Sequence, residues 1–332
     1  MTAFGLGRAT PGYTAEKPEA GLAYKAEIEG IEDGELKDLI ISVSDVFGLQ
    51  NSPPASLSLL NLRMNRDVPV FLKALNSFGY FKAEVQTRID DQARPLKVIF
   101  QVKTGPRFTF STIDIKPDSG AVVTGIELPR PAEIGLEPGR VYRAEEILIA
   151  QRRLLNIMSR RGFPFPKIID RRIVADHATD NVSVEFHVKP GPRAVFGQVK
   201  ITGLSSVKEK SVIRLVPWTK EQVFDAALLE QGKHALMESG LFSVVEVKLG
   251  ELGQGDELPI LLHLTERKHR TIRVGLGYQT DTGFEGRLGW AHRNLFGSGE
   301  TLSLDLSGNE INRSFEAAFR RPWFLAANQT LL

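Results

Sequence analysis

Hydrophobic and polar positions change period along the chain, and the changes recur. Before Gly79, Val68, Phe71, Leu72 and Leu75 fall at i, i+3, i+4 and i+7, one face of a helix. Ile147, Leu148, Leu154, Leu155 and Met158 share one side before Gly162, as do Phe224, Ala227, Leu228 and Ala235 before Gly240. Each glycine is the left-handed signal that ends a helix, and aromatic or large apolar residues follow it. Two strand-like runs come next in every case: Phe81–Ile89 with Leu96–Lys103, Lys167–Ala175 with Val182–Lys189, and Phe242–Leu249 with Pro259–Thr265. Shorter helices precede the long ones, clearest at Val207–Val216. Ser206 with Glu209 predicts a capping box there, and Thr219 with Gln222 predicts one for the next helix.

The same period appears in a second mark. Gly105-Pro106-Arg107 returns 86 residues later as Gly191-Pro192-Arg193, with Phe110, Ile113 and Ile115 answered by Phe196, Val199 and Ile201. Glycine followed by proline makes a stiff turn into a new strand. The repeated unit is therefore strand–helix–helix–strand–strand, an α+β layer pair with its helices on one face of the sheet. The predicted division is a disordered leader over 1–21, units over 22–105, 106–191 and 192–268, and a different segment over 269–332.

From Arg270 helical periodicity stops. Ile272, Val274, Leu276 and Tyr278 alternate with polar residues. So do Phe284, Leu288 and Trp290, then Leu302, Leu304 and Leu306, then Phe315, Ala317 and Phe319. Arg273, Arg287, Asp305 and Glu316 lie on the opposite face. Alternating segments joined by short turns are the pattern of a transmembrane β-barrel, and a soluble antiparallel sheet alternates identically.

The 332 residues predict two or three domains, and the 42% hydrophobic, 25% charged composition is that of folded protein. Net charge is +2, which gives no global field for nucleic acid. Cysteine is absent, so disulfides, zinc-thiolate sites and thiol nucleophiles are excluded. No run approaches the length of a membrane-spanning helix, and Met1–Ala20 lacks the apolar core of a signal peptide. Asp281-Thr282-Gly283 reads as a hairpin turn, because aspartic-protease chemistry needs a second such triplet. Gly275 and Gly277 lack the third glycine and helix of a dinucleotide site. The six histidines, His263 and His269 among them, have no metal-ligand spacing and read as surface or satisfied residues. Asn181, Asn312 and Asn328 each open a glycosylation sequon.

Residues 140–175 hold nine basic and three acidic side chains. Arg152, Arg153, Arg160 and Arg161 fall on the long helix of the middle unit. They read either as a solvated helix face or as a docking surface for anionic lipid headgroups or an acidic partner. A KH-like RNA module is disfavoured, since its GxxG loop is missing from all three units.

Val274-Gly-Leu-Gly-Tyr278, Gly283, Gly286 and Trp290, Arg293-Asn-Leu-Phe-Gly-Ser-Gly-Glu300 and Arg321-Pro-Trp-Phe324 resemble the first barrel strands of bacterial outer-membrane-protein assembly factors, the BamA and TamA superfamily of surface antigens. The repeated unit resembles their periplasmic polypeptide-transport-associated (POTRA) domains. Three units resemble the TamA branch more than the BamA branch, which has five. The resemblance implies an outer-membrane protein, non-enzymatic and without cofactor, whose units bind unfolded outer-membrane proteins and autotransporters by strand addition. The receiving edge would be the strand after the second helix: Phe81, Ala83 and Val85; Lys167 and Ile169; Phe242, Val244 and Val245. Ile272, Val274, Leu276 and Tyr278 would border a lateral seam. Outer-membrane lipid and a TamB-like inner-membrane-anchored protein would be partners, and nucleic acid would not. Because about four of the family's sixteen barrel strands fit, the chain is expected to be a fragment lacking its signal peptide and most of its barrel. The alternatives are a two-partner-secretion transporter of the same superfamily and a soluble peptide- or RNA-binding repeat protein.

Overall fold

The computed structural model describes residues 21–118, 127–280, 283–322 and 330–331. Residues 1–20 of the expected leader, Asp281-Thr282, Trp323-Phe324 and Asn328 lie outside the described residues. Two compact units are present. One comprises the described residues of Met1–Asp114 with Gly135–Ile149 and Arg172–Glu185; the other comprises those of Ile115–Ile134, Ala150–Arg171 and Phe186–Leu332. The fold is α+β: three repeats, each a strand, a helical stretch and two further strands, are followed in the chain by an antiparallel sheet.

The first repeat runs β1 (Tyr24–Glu29), α1 (Gly34–Val43), α2 (Asp45–Gly48), α3 (Leu57–Ser77), β2 (Glu84–Asp90) and β3 (Leu96–Lys103). Sheet order is β1-β3-β2, with β1 parallel and β2 antiparallel to β3. The helices start where side chains satisfy their first N–H groups: Asp33 accepts from Leu36, Ser44 from Phe47, and Ser56 from Leu59. A buried carboxylate ties two of them together. Asp67 on α3 accepts from the N–H groups of Asp45 (3.0 Å) and Val46 (2.9 Å) at the start of α2, and from the Ser44 hydroxyl. Below them Leu36, Ile40, Leu60, Phe71 and Leu75 pack on Val98 and Phe100.

The second repeat holds β4 (Thr109–Pro117), α4 (Ala144–Arg160), β5 (Lys167–Asp176) and β6 (Asn181–Lys189), in sheet order β4-β6-β5. Where the repeat predicts a short first helix, the described residues form only a 3₁₀ turn, Pro131–Ile134. Pro129, Pro131 and the left-handed Gly135 restrict that stretch to one turn. On α4 the buried residues are Ile147, Ala150, Leu154 and Met158. Leu148 was expected among them but is 47% exposed, because the 3.6-residue period turns it away.

The third repeat is β7 (Val195–Thr202), α5 (Glu209–Leu215), α6 (Ala226–Glu238), β8 (Phe242–Leu249) and β9 (Glu257–Glu266), in order β7-β9-β8. Neither predicted capping box forms at a helix start. Lys208 occupies the cap of α5 without a side-chain bond, and Ser206 is engaged elsewhere. Asp225 caps α6, while Thr219 and Gln222 bond to each other in the preceding turn. The helix-ending glycines 79, 162 and 240 are all left-handed, as expected.

One repeat mark escapes the sequence reading. Gly30 (φ +85°) and Gly203 (φ +88°) follow the first strands of their repeats, and a Cβ on either would lie 2.0 Å from a carbonyl oxygen of the central strand, Val102 or Leu264. Only glycine fits there.

The last sheet is β10 (Arg270–Gln279), β11 (Gly283–His292), β12 (Thr301–Gly308), β13 (Arg313–Pro322) and a two-residue β14 (Thr330–Leu331), antiparallel throughout. The fifth strand was not anticipated. Among the described residues no helix is long and apolar enough to cross a membrane.

Candidate functional site

Each repeat's sheet has an open margin. β2, β5 and β8 each pair with one neighbour in their sheets and so leave an outer edge. Of the residues assigned to these edges, Phe81 and Ala83 precede β2, which begins at Glu84. Phe81 is turned inward instead, its ring 5.0 Å from Phe108 and 5.1 Å from Tyr142. Val85 is half-buried on β2. Lys167 and Ile169 are exposed on β5, the most open of the three strands. On β8, Phe242 and Val245 are buried in the core and Val244 is exposed, beside a bulge that interrupts the register.

The basic helix face divides. Arg160 lies 3.9 Å from Asp225, Arg161 pairs with Glu133, and Arg152 and Arg153 are exposed.

The two repeat marks meet in space. The N–H of Phe108 donates to the carbonyl of Gly79 (2.9 Å), and that of Ala194 donates to Gly162 (2.8 Å). Each Gly-Pro-Arg turn thereby docks on the helix end before it.

The junction after β9 is built differently. Three residues separate β9 from β10. The Glu266 carboxylate accepts from the N–H groups of Ser205 (2.7 Å), Ser206 (2.9 Å) and Val207 (2.9 Å), from the hydroxyls of Ser205 (3.0 Å) and Ser206 (2.6 Å), and contacts His269 Nε2 at 3.1 Å. Burial raises its pKa, but the Ser206 hydroxyl and the three N–H groups outweigh that and hold the carboxyl well below its ordinary value. The His263 ring lies 3.0 Å from the Thr202 hydroxyl, so both histidines near this strand end have partners.

Arg293–Glu300, expected as a hairpin connection, is a folded clasp. Asn294 and Glu300 are buried. Asn294 donates to the Ser206 hydroxyl (3.2 Å) and accepts from Gly299 (3.0 Å), while Glu300 accepts from Phe296 and Ser298. The carbonyl of Gly297 receives the N–H of Lys208 at 2.8 Å. The sequence showed the motif but not its partner, because its contacts lie nearly 90 residues upstream.

β10 borders the last sheet, and Ile272, Val274, Leu276 and Tyr278 are exposed on it, Leu276 by 90%. The apolar set lines up in rows: Ile272 with Trp290, Leu304 and Ala317, and Val274 with Leu288, Leu306 and Phe315. On the other face Arg273 bonds Asp305 at 3.1 Å across β11. The bridge passes over Gly289, where a Cβ would come within 2.5 Å of Asp305. Among the described residues no group of three or more His, Cys, Asp or Glu is placed to hold a metal.

Residues 132–191 and 194–267 match the POTRA family profile, described as a surface antigen variable number repeat. The outer membrane protein assembly factor BamA of Neisseria meningitidis serogroup B is 24% identical over 259 residues, 76% of this chain and 32% of that protein. BamA of Nitratidesulfovibrio vulgaris is 24% identical over 308 residues, covering 90% of this chain and 38% of the relative. These matches support the BamA superfamily. The crystal structure of BamA from Haemophilus ducreyi lacking POTRA domains 1-3 superimposes with a TM-score of 0.56 at 20% identity, over 65% of this chain and 40% of that one. The fold is thus shared with that structure over the superimposed part of the chain. The chain spans about a third of the length of these curated relatives. The first repeat, outside the matched residues, has the same strand order as the third.

Proposed function

We propose that the chain is the repeat-bearing, membrane-proximal part of a non-enzymatic outer-membrane protein assembly factor. Residues 22–105, 106–191 and 192–268 are its periplasmic POTRA units and 269–332 its membrane segment. The observation that carries the reading is the register of the last sheet. Apolar side chains from four successive strands fall in rows on one exposed face, directly after a POTRA repeat. Lipid-facing strands have this pattern. An unpaired backbone edge is costly in hydrocarbon, so in this reading further strands close β10 and β14 into a larger barrel.

The units receive clients by strand addition. An extended segment pairs with the open edge of β2, β5 or β8, which gives affinity with little sequence preference and suits clients of varied sequence. The free edge of β10, from Ile272 to Tyr278, offers the next template at a lateral seam. No step breaks a covalent bond. The narrower assignment is the TamA type, with autotransporters as clients and a TamB-like inner-membrane-anchored protein as partner; its support is the resemblance of the repeats and strand motifs to that superfamily. Hydrogen–deuterium exchange with and without an unfolded barrel peptide tests the receptor role. Slower exchange in at least one of β2, β5 and β8 is expected, and unchanged protection in all three sinks it.

A further inference from the structure

A cleft of about 720 Å³ opens at the junction, lined by Lys268, His269, Arg270, His292, Asn294 and Phe296 among others. Its charge is one-sided. Lys268 and Arg270 have no ion-pair partner among the described residues. Among those residues no acid lines the cleft, and the oxygens of Glu266 and Glu300 are turned to the Ser205–Val207 turn and to the N–H groups of Phe296 and Ser298. Arg267, Lys268 and Arg270 stand within four consecutive residues, and the exposed apolar rows begin two residues later at Ile272. Two strand residues span about 7 Å. Phe296, on the same rim, is 61% exposed.

We infer that this cleft binds the phosphate of an anionic lipid headgroup at the periplasmic surface of the membrane. The inference rests on the membrane reading of the last sheet. With Ile272 at the edge of the hydrocarbon, Lys268 and Arg270 stand at headgroup depth, where a cluster of cations next to a spanning segment selects anionic lipid. Arg270 offers the planar fork that fits two phosphate oxygens, and Lys268 a point charge. Phe296 decides between lipid and soluble phosphate. An exposed aromatic ring gains from the bilayer interface and gains nothing from a hydrated anion.

The test uses the protein incorporated into phosphatidylcholine vesicles that contain a minority of phosphatidylglycerol. Flotation reports insertion, and native mass spectrometry counts the phosphatidylglycerol retained. The wild type is expected to retain it. The Lys268→Gln/Arg270→Gln variant is expected to float equally and to bind it roughly 25-fold more weakly, at about 1 kcal/mol per cation. Lys37→Gln/Lys73→Gln removes the same charge from exposed helix positions of the first repeat and should bind as the wild type does. Equal retention by all three proteins overturns the inference, as does equal loss in both variants, which would make the effect one of net charge. Displacement of the lipid by an equal concentration of inorganic phosphate overturns the lipid assignment. Failure of the wild type to float overturns the membrane reading and the inference with it.

Discussion

Glu266→Gln tests whether the junction is held by one carboxylate. The change keeps the shape and one acceptor oxygen. It removes the charge and turns an NH₂ group toward the two serine hydroxyls and His269 that now surround Oε2. Hydrogen bonds to a charged group contribute about 1.5–3 kcal/mol each, against about 1 for neutral ones. With three N–H groups on the opposite oxygen, a loss of about 2–3 kcal/mol is expected, concentrated in the turn. That turn has a direct readout, because the amides of Ser205, Ser206 and Val207 are themselves the donors. Their hydrogen exchange should accelerate by roughly 30- to 100-fold, at tenfold per 1.4 kcal/mol. Glu238→Gln, at an exposed pair with His234, serves as the control and should change nothing. The sign of the pH dependence follows from the lowered pKa. The carboxylate contribution is complete above the ordinary value of 4.5 and is lost as pH falls below it toward the folded value. Wild-type protection of the three amides, corrected for intrinsic exchange chemistry, should be flat from neutrality to that point and then fall. Exchange of Ser205–Val207 in Glu266→Gln within about threefold of wild type would refute the reasoning, since it would leave the hydrogen bonds worth less than about 1 kcal/mol together.

Other substitutions probe the repeats and the sheet. Gly203→Ala forces a side chain onto the Leu264 carbonyl at positive φ; about 2 kcal/mol from the backbone alone, with the clash added, should lower the unfolding midpoint clearly. Arg143→Ala removes a guanidinium 2.8 Å from Glu35 and 4.5 Å from the Phe78 ring centre. The pair is exposed, so chemical denaturation should show a loss of only about 1 kcal/mol. Leu304→Arg, on the apolar face, should disfavour membrane insertion by about 2–4 kcal/mol while Ser303→Arg on the other face is tolerated, as scored by the membrane-bound fraction after urea extraction.

Local features were legible in the sequence, and features that depend on distant partners were not. The helix-ending glycines and the strands that follow them announce themselves within a few residues, and β3 and β8 begin and end where alternation places them. The cap assigned to Ser206 failed because its hydroxyl is claimed by Glu266, 60 residues away. Phe81 lies next to a strand in sequence, yet its ring belongs to the packing around Phe108 and Tyr142. Arg293–Glu300 carried a signal in two polar residues, Asn294 and Glu300, flanking an apolar pair in a glycine-rich loop. That they are buried, and against what, depends on a turn far upstream. Alternation predicted which residues of each strand in the last sheet share a face, because the period is two; the rows depend on the register, which alternation leaves to be set.

The central claim is that the apolar rows face lipid. These 332 residues contain no cysteine, so single cysteines at Leu302, Ser303, Leu304, Asp305, Leu306 and Ser307 take spin labels at defined sites on β12. In the protein held in its outer membrane, labels at the three leucines should collide mainly with oxygen and those between them mainly with a water-soluble nickel chelate, alternating along the strand. Free access of the chelate to all six positions would contradict the account.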